Sequence, residues 1–394
     1  MNLINLYLKK TISYKHNHHN LQFKISQELF SSLNIDHGTQ RLLRTLLFEN
    51  IDSYKKVLDL GCGYGPIGVA MKKVCPSTEI HMVDVDALAL EFAKENAHLN
   101  EIRDSHVYAS LGYDQIVDQD FDVIVSNIPA KVGEKAITHI LKDARHYIVR
   151  GGKVIVVVID AIADFVGNQL KSDEDISITY HRNWPGHHVY HYQFVDDQKK
   201  LFKAKLAFEQ GIFFKGSQEF QNAAENYTFD VSYNLPEFDQ LDFQTKLITR
   251  VIRGITSSVE SGLCFNVGQG HVPLFVSRHF GLKTIKLTDR NLLSLKTSQY
   301  NLEKNQIESK IKHSVFPSGE MSFDLIAGTI PEKQTVSVYG TLIQSIHASL
   351  RPGAKVVIAS TSTTVARVEN ILKSYFEILS SDKEKGNVAL IMQK

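Results

Sequence analysis

The chain has few cysteines and no long hydrophobic run. Its three cysteines, Cys62, Cys75 and Cys264, are far apart and odd in number, which fits neither a disulfide framework nor a zinc site. Free thiols indicate a reducing compartment. The longest apolar run, Val154–Ile159, ends at Asp160 and is far shorter than the roughly 20 residues that a membrane helix needs. These absences predict a cytoplasmic protein with no membrane segment and no metal.

An excess of charge of one sign is also missing. The 44 Lys and Arg residues nearly balance the 43 Asp and Glu residues, so the formal net charge is +1. This balance gives no overall polycation signal for nucleic acid, and any RNA contact must come from a local patch. With 394 residues, 43% of them hydrophobic, the chain is long enough for two globular domains of about 150 residues or more.

What the sequence does have is a glycine-rich turn after a short apolar run. The run Val57–Leu60 is followed by alternating glycines, Gly61, Gly63 and Gly65, and then by a helix-like segment. This pattern is typical of a buried parallel strand that turns sharply into a helix and lets a ligand approach bare backbone. The unpaired N–H groups of the helix N-terminus face the same place. Asp59 lies at the strand end, where it can accept hydrogen bonds from a cationic group.

A second acid, Asp84, ends the next apolar run. It follows Gly61 by 23 residues, near the spacing at which an acid reaches ribose hydroxyls. An ammonium near Asp59 and a ribose near Asp84 fit S-adenosylmethionine better than NAD, although the glycine spacing also satisfies the dinucleotide fingerprint. Val85 joins Asp84 as a predicted cofactor contact. The alternative is a tight strand-to-helix turn that binds no ligand.

Two further stretches accompany the glycine turn. Leu29–Leu43 contains Phe-Ser and then Asp-His-Gly-Thr, and Phe121–Gly133 contains Asn-Ile-Pro-Ala. With Gly151–Lys153 before another apolar strand, the chain resembles the class I S-adenosylmethionine-dependent methyltransferases. It is most similar to the small-domain branch that includes the ribosomal RNA guanine-N2 methyltransferases. The resemblance covers about 12–195 and implies S-adenosylmethionine as the cofactor.

The resemblance also implies which residues are catalytic. Asn127 occupies the place of the family asparagine, which accepts hydrogen bonds from the nitrogen to be methylated, and it is expected to contact the cofactor as well. Pro129 would fix the φ angle of the loop. Asp36 and Thr39 either line the cofactor entrance or cap a helix that begins near Gln40. A structural turn at a strand end is the alternative for the asparagine loop.

Two positions depart from the Asn-Pro-Pro-aromatic motif of the branch. Ile128 replaces the first proline, and Ala130 replaces the aromatic that would stack on a planar target. Stacking of a base on an aromatic ring contributes about 1–3 kcal/mol, so this replacement matters. Either the acceptor is not a base, or another aromatic residue supplies the ring; the candidates are Phe30, Tyr64, Tyr113 and Trp184.

The second half of the chain repeats the first. The glycine turn recurs after 207 residues, the following acid after 205 and the asparagine-loop position after 202: Gly61 and Gly268, Asp84 and Asp289, Asn127 and Thr329. A slowly drifting offset across separate motifs indicates a tandem duplication of one domain. The predicted domains are 1–200, an active S-adenosylmethionine-binding methyltransferase domain, and 201–394, a degenerate copy.

Each half alternates strands and helices, which predicts an α/β protein with two Rossmann-like methyltransferase domains. Their sheets are expected to be doubly wound, mostly parallel and seven-stranded. A helix is predicted over Ala87–Asn100, and a hairpin over Thr11–Lys15 and Leu21–Ser26. The predicted strands of the first half cover 55–60, 79–84, 105–109, 121–126, 153–159 and 187–194.

The second copy is expected to keep the fold and lack the activity. In the alignment that spaces the glycines 207 residues apart, Asp59 becomes Asn266 and Gly65 becomes Val272. These changes remove a carboxylate and bring a β-branched side chain into the turn. The resemblance implies a similar arrangement, since some ribosomal RNA methyltransferases carry one degenerate copy. The order is reversed here, because in those proteins the N-terminal copy is the silent one.

Three functions stay open at this point. The favoured one is an S-adenosylmethionine-dependent N-methyltransferase that acts on an exocyclic amine of a base in RNA, with ribosomal guanine first. The second is a methyltransferase of a small molecule or of a protein side-chain amide. The third is a non-catalytic binding or scaffold protein, against which the intact Asp59, Gly61 and Asp84 argue. A monomer of two packed domains is expected, with the oligomeric state open.

Overall fold

The computed structural model describes residues 2–46, 49, 53–195, 205–222, 225–319 and 321–394. The chain divides into two compact units, Met1–Phe213 and Phe214–Lys394. The predicted division between 200 and 201 lies within 196–204, outside the described residues. No helix in the described ranges is long and apolar enough to cross a membrane.

The N-terminal domain is built on one seven-stranded sheet preceded by a two-stranded hairpin. Its strands are β1 (Leu8–His16), β2 (His19–Ser26), β3 (Lys56–Leu60), β4 (Glu79–Asp84), β5 (Ser105–Ala109), β6 (Phe121–Asn127), β7 (Ile148–Ile159), β8 (Ile176–Trp184) and β9 (His187–Phe194). Its helices are α1 (Leu3–Tyr7), α2 (His37–Leu46), α3 (Pro66–Val74), α4 (Ala87–Leu99), α5 (Glu134–Lys142) and α6 (Asp160–Lys171).

The large sheet has the strand order β5-β4-β3-β6-β7-β9-β8. Strands β3 to β7 are parallel, and β9 runs antiparallel to both of its neighbours. The order reverses between β3 and β6, which makes the carboxyl ends of these two strands the topological switch point. The predicted fold class is therefore confirmed, and the place where such sheets bind ligands is defined.

Local sequence explains why α4 lies close to the glycine turn. Asp86 caps the helix, since its Oδ1 accepts a hydrogen bond from the backbone N–H of Leu88 at 2.9 Å. Three alanines four residues apart, Ala89, Ala93 and Ala97, form a buried stripe along it. The small side chains allow the helix to approach the turn, where Ala93 Cα lies 3.4 Å from the position that a Cβ on Gly65 would take.

The C-terminal domain repeats this architecture. Its strands are β10 (Phe214–Asn222), β11 (Glu225–Ser232), β12 (Gly262–Phe265), β13 (Thr284–Asp289), β14 (Glu308–His313), β15 (Phe323–Thr329), β16 (Leu350–Thr361), β17 (Glu377–Glu384) and β18 (Asn387–Gln393). Its helices are α7 (Phe243–Ile252), α8 (His271–Phe280), α9 (Leu292–Lys304), α10 (Val336–Ser349) and α11 (Ser362–Tyr375). The sheet order, β14-β13-β12-β15-β16-β18-β17, matches that of the first sheet position by position, as a tandem duplication requires.

The structure corrects the alignment of the two glycine turns. Gly65 and Gly270 each lie directly before a helix, α3 and α8. Both glycines have a left-handed backbone conformation, with φ of 88° and 104°. The carbonyls of Tyr64 and Gln269 accept hydrogen bonds from the side-chain amides of Asn96 in α4 and Asn301 in α9, at 2.9 and 3.0 Å. The turns therefore align at an offset of 205, and the predicted offset of 207 is wrong. The Gly-x-Gly pattern occurs twice in succession in the first turn, so the sequence matched the wrong pair.

The corrected register changes which residues replace the first-domain site. Asp59 corresponds to Cys264, and Gly61 corresponds to Asn266, which has positive φ like Gly61. Gly65 keeps a glycine counterpart, so the expected Val272 replacement does not occur. The second copy still lacks the buried carboxylate.

Candidate active site

The candidate site lies at the carboxyl ends of β3, β4 and β6. The glycine turn follows β3, Asp84 ends β4 and Asn127 ends β6. Because parallel neighbours end at the same edge of a sheet, the topology alone brings these groups to one edge.

Asn127 is held by two groups from α2 and the residue before it. Its Nδ2 donates hydrogen bonds to Asp36 Oδ2 at 2.7 Å and to Thr39 Oγ1 at 3.1 Å. A carboxylate can only accept, so the amide nitrogen must face Asp36 and the amide oxygen must face away. Within the described part of the chain, Asn127 Oδ1 has no hydrogen-bond partner. The side chain is half-buried and presents an oriented acceptor at the strand end.

Asp36 caps the helix, which is one of the two roles that the sequence left open; its place at the cofactor entrance stays a prediction. Its carboxylate accepts hydrogen bonds from the backbone N–H groups of Gly38 and Thr39, at 2.8 and 2.9 Å, as a helix cap does. The same carboxylate binds the amide of Asn127. The helix therefore begins at His37, three residues before the predicted start at Gln40, and its cap is part of the site.

His187 and Arg41 pack beside this helix start, and no sequence motif marked either residue as part of the site. Arg41 Nη1 donates to His187 Nδ1 at 2.6 Å and to the carbonyl of Pro185 at 2.5 Å. Burial and the nearby guanidinium lower the pKa of His187, so the neutral imidazole is favoured. His187 Cδ2 lies only 2.8 Å from where a Cβ on Gly38 would be, which explains a glycine inside the first turn of α2.

The glycines of the turn fall into two classes. Gly61 and Gly63 have positive φ, 77° and 55°, and a Cβ on either would meet no described atom within 4 Å. A Cβ on Gly65 would lie 3.3 Å from Met82 Sδ, and one on Gly68 would lie 2.6 Å from Met82 Cγ. Gly61 and Gly63 thus leave open space for a ligand, whereas Gly65 and Gly68 allow α3 to pack closely on β4.

Asp84 organises the turn from the neighbouring strand. Its Oδ2 accepts a hydrogen bond from the N–H of Gly63 at 2.8 Å, and its Oδ1 accepts from the N–H of Asp86 at 3.0 Å. The N–H of Val85 is a third backbone donor to this carboxylate. A carboxylate has about four lone-pair sites, so room for a ligand hydroxyl remains. Burial raises the pKa of Asp84 to about 6, against the lowering effect of these backbone donors. Val85 follows it, half-buried.

Asp59 is completely buried, at 0% exposure, and acts on the helix rather than on the open space. Its Oδ2 accepts a hydrogen bond from the N–H of Gly68 in α3 at 2.8 Å. Its Oδ1 is buried with no hydrogen-bond partner among the described residues. Burial, reinforced by the charge of Asp84, raises the pKa of Asp59 to about 7. A cation bound near this pair would favour ionisation of both carboxyl groups.

The loop after Asn127 explains one departure from the family motif. Ile128 is buried in the core of the N-terminal domain, and its N–H donates to the carbonyl of Val157 at 3.0 Å. A proline there could not make this bond. Pro129 is exposed with φ −72°, and it precedes a short 3-10 turn over Ala130–Val132.

The four aromatic candidates differ sharply in exposure. Tyr64 and Tyr113 are buried, so neither presents a ring face to a substrate. Trp184 is half-buried, with the guanidinium of Arg182 4.7 Å from its ring centre. Phe30 is 74% exposed, on the segment that leads into Asp36.

The corresponding position of the C-terminal domain is built differently. Thr329 ends β15 where Asn127 ends β6, so the amide is replaced by a hydroxyl. Asn266, at the position of Gly61, donates its Nδ2 to the carbonyl of Thr329 at 2.8 Å. A side chain thus lies in the turn where the first domain has none.

The N-terminal domain is similar in sequence to known methyltransferases. The profile of the methyltransferase small domain family matches residues 20–164. The chain is 30% identical over 151 residues to YbxB of Bacillus subtilis, an uncharacterised protein; the match covers 38% of this chain and 74% of that protein. It is 38% identical over 133 residues to ribosomal RNA small subunit methyltransferase C of Haemophilus influenzae. That match covers 33% of this chain and 39% of the relative, so the chain spans about two fifths of it.

A solved structure is similar over both domains. It is the T. thermophilus 16S rRNA guanine-N2 methyltransferase in complex with AdoMet and guanosine, with a TM-score of 0.67 and 16% sequence identity. The likeness covers 99% of each chain and supports the fold assignment.

Proposed function

This chain belongs to the methyltransferase small domain family, and from that premise we propose that its N-terminal domain is an S-adenosylmethionine-dependent N-methyltransferase. The proposed acceptor is an exocyclic amine of a base in RNA, with ribosomal guanine first. The names of the Haemophilus influenzae relative and of the T. thermophilus structure support this acceptor. A reducing cytoplasm, where three buried free cysteines persist, is the proposed location.

The observation that carries the proposal is the fixed amide of Asn127. Asp36 and Thr39 hold its Nδ2, which leaves Oδ1 as an acceptor of fixed direction. An amine that donates one N–H to Oδ1 has its lone pair oriented for attack on a methyl group. The carbonyl of Ile128 is a second acceptor on the same loop, available for the other N–H.

The residues of the glycine turn fit the cofactor. The open space at Gly61 and Gly63 admits a ligand against bare backbone. The carboxylate of Asp84 can accept a ribose hydroxyl beside its backbone donors. The carboxyl groups of Asp59 and Asp84 supply negative charge near a ligand that carries a sulfonium and an ammonium. When bound, the cofactor supplies an activated methyl group.

The chain's own task is alignment rather than activation of the methyl group. Holding the amine in line with the methyl group lowers the entropic part of the activation barrier, an effect on the order of several kcal/mol. Asn127 orients the nitrogen, and Asp36 and Thr39 prevent its amide from rotating. In the proposed transfer the new N–C bond would form as the sulfur–methyl bond of the donor breaks, and the amine would lose one proton to solvent.

A base acceptor needs a stacking surface, and Phe30 is the proposed one. Ala130 lacks a ring, whereas the ring of Phe30 is exposed. Phe30 lies on the segment that leads to Asp36, and Asp36 is the residue that is hydrogen-bonded to Asn127. Lys131, exposed two residues after Pro129, is placed to meet a phosphate. Loss of the Phe30 ring is expected to weaken RNA binding by about 5- to 150-fold, from stacking energies of about 1–3 kcal/mol.

A smaller acceptor is the second candidate. The loop carries Ala130 in place of the aromatic, so an amide of a protein side chain or a small molecule would also fit beside Asn127. Such an acceptor would donate the same hydrogen bond to Oδ1 and would not depend on Phe30.

The C-terminal domain is proposed to keep the fold without a cofactor site. Cys264 replaces the buried carboxylate of Asp59, and the Asn266 side chain lies where Gly61 leaves space. We therefore assign the activity to the N-terminal domain alone.

Transfer of tritiated methyl groups tests the proposal. The full chain is incubated with labelled S-adenosylmethionine and total RNA, protein or small metabolites, and label is expected in RNA. Asn127→Ala is expected to lower the rate on the order of 100-fold, because the amine loses its orienting acceptor. Thr329→Ala, the matched change in the other domain, should leave the rate unchanged. Label confined to protein or metabolites would favour the second candidate, and no transfer to any fraction would contradict both.

A further inference from the structure

A second group of ligand-type side chains lies at the opposite edge of the same sheet. Glu79 begins β4 and His81 follows two residues later, so both project from one face of the strand. His106 on β5 is the parallel register partner of His81. The three side chains therefore converge near the amino ends of their strands, whereas Asp84 lies at the carboxyl end of β4.

The distances within this group suit one bound ion. Glu79 Oε1 lies 2.8 Å from His81 Nε2 and 3.5 Å from His106 Nε2. Asp118 Oδ2 lies 3.6 Å from His81 Nε2. Two ligand atoms each about 2.1 Å from a tetrahedral zinc ion are about 3.4 Å apart. The ligand atoms of Glu79, His81 and His106 all lie within 4.8 Å of one another. The hydrogen bond between Glu79 and His81 must lengthen for these three to share an ion, and the Asp118 carboxylate must turn toward it to become the fourth ligand.

The ring of His81 is held in the orientation that a ligand needs. It is 4% exposed, with its edge on the ring of Phe121 at 5.2 Å between centres. Its Nδ1 lies 3.1 Å from the hydroxyl of Tyr108, which leaves Nε2 facing the group. A metal-binding histidine donates the N–H of its second ring nitrogen. Metal binding at Nε2 would therefore place the ring proton on Nδ1, where it can be donated to the hydroxyl of Tyr108.

The local charge favours a divalent cation. Three carboxylates, those of Glu79, Asp118 and Asp120, surround the single ammonium of Lys56 at 3.0–3.6 Å. With neutral imidazoles the group carries two excess negative charges. Lys56 can stay paired with Asp120 when the other two carboxylates turn to an ion.

The C-terminal domain shows that the fold does not require these residues. Thr284 and Lys286 on β13 correspond to Glu79 and His81, and Lys310 on β14 is the register partner of Lys286. The ammonium of Lys286 lies 5.1 Å from the centre of the Phe323 ring. The same two strands thus form with no imidazole or carboxylate at these positions, and a purely structural need for the histidines is not supported.

We propose that Glu79, His81, His106 and Asp118 form a binding site for one divalent transition-metal ion of the zinc, cobalt and nickel class. Two imidazoles and two carboxylates are the donor set of such ions, and Mg²⁺ and Ca²⁺ prefer oxygen ligands alone. The site departs from the sequence expectation of no metal. Its place at the amino ends of the strands separates it from the proposed active site, so each proposal can fail without the other.

Titration of the chelator-treated full chain with Zn²⁺ and Co²⁺ tests this site. Calorimetry is expected to give one Zn²⁺ per chain, and Co²⁺ should produce the visible absorption bands of a tetrahedral complex. His106→Lys and Glu79→Thr introduce the residues that the C-terminal domain carries, so the fold should persist. Each is expected to weaken Zn²⁺ binding at least tenfold, because even supporting residues of metal sites contribute about 10- to 100-fold.

A histidine of the β1–β2 turn provides the control. His18→Ala removes an exposed histidine that lies between His16 and His19, and it should leave Zn²⁺ affinity unchanged. No Zn²⁺ binding by the unmodified chain would overturn the proposal. Equal binding by His106→Lys, or loss of binding in His18→Ala alone, would overturn it as well. Circular dichroism of each variant shows that a loss of binding does not come from unfolding.

Discussion

Asp36 and Asn127, 91 residues apart in the chain, share one hydrogen bond of 2.7 Å between Oδ2 and Nδ2. The same carboxylate oxygen accepts the N–H of Thr39 at 2.9 Å. Asp36 Oδ2 therefore accepts hydrogen bonds both from the start of α2 and from the end of β6. Because the carboxylate accepts only, it fixes which end of the Asn127 amide faces the substrate space. A helix cap therefore doubles as the positioning group of the proposed catalytic residue.

Replacement of this cap should separate stability from catalysis. Asp36→Ala and Asp242→Ala remove equivalent caps, since Asp242 accepts the N–H of Thr245 at 2.7 Å. Both are expected to cost about 0.5–2 kcal/mol of unfolding free energy. Only Asp36→Ala should also lower kcat, about tenfold or more, with little change in the KM for S-adenosylmethionine, because the Asn127 amide is then free to rotate. Steady-state methyl transfer measures both constants. An equal loss of kcat in the two variants would mean that Asp36 matters only as a cap.

Replacing Gly63 or Gly68 should lower stability in both cases, but only the change at Gly63 should also lower cofactor affinity. A side chain on Gly63 projects into open space, so Gly63→Ala is expected to lower cofactor affinity at least tenfold and, through its positive φ, to cost about 1–2 kcal/mol of stability. A methyl group on Gly68 would meet Met82 at 2.6 Å, so Gly68→Ala should mainly cost stability, about 1–3 kcal/mol. Calorimetry with S-adenosylmethionine gives the affinities. Unchanged affinity in Gly63→Ala would contradict the placement of the cofactor.

Denaturant unfolding can be followed in the N-terminal domain alone. The chain has a single tryptophan, Trp184, and it lies in β8 of that domain. Its fluorescence therefore reports the stability of the domain that carries the proposed site, and it serves for the glycine variants and for the next prediction.

The buried carboxyl group of Asp59 should make stability depend on pH. Its pKa is about 7 in the folded domain, against 3.8 for the ordinary side chain. The unfolded chain ionises first, so the contribution of this group to stability is complete below about pH 4 and is lost as the pH rises to about 7. The loss amounts to as much as about 4 kcal/mol from a difference of about three pKa units. The unfolding free energy of wild type minus that of Asp59→Asn should fall over this interval. A difference that is constant with pH would contradict the raised pKa.

Much of the fold followed from sequence because its strands are short apolar runs between clear turns. The bounds of β4 and β5 agree with the predicted 79–84 and 105–109. Strand β8 was not located, because it is an edge strand without a buried apolar run, in which consecutive residues such as Arg182 and Asn183 are both exposed. Strand β7 begins at Ile148, five residues before its predicted start, because the chain continues in strand geometry through the glycine pair.

The site was only partly visible in the sequence. The predicted role of Asn127 stays a prediction, but its link to Thr39 joins two residues that were selected separately. The contribution of His187 could not be foreseen, because it comes from a strand that packs on α2 only in the folded domain. The group around His81 was missed for a similar reason. An alternating Glu-x-His at a strand start, followed by a histidine on the neighbouring strand, is the signal that could have found it.

The proposed function requires a single cofactor site, in the N-terminal domain, and the number of S-adenosylmethionine molecules bound per chain tests this most directly. Calorimetry of the full chain is expected to give one site. Asp84→Asn should weaken binding at least tenfold, because a charged acceptor for ribose hydroxyls is lost. Asp289→Asn changes the matching residue of the C-terminal domain, where Asp289 accepts the N–H of Val267 at 2.9 Å, and it should leave binding unchanged. Two sites per chain, no site, or binding lost in Asp289→Asn and kept in Asp84→Asn would contradict the account.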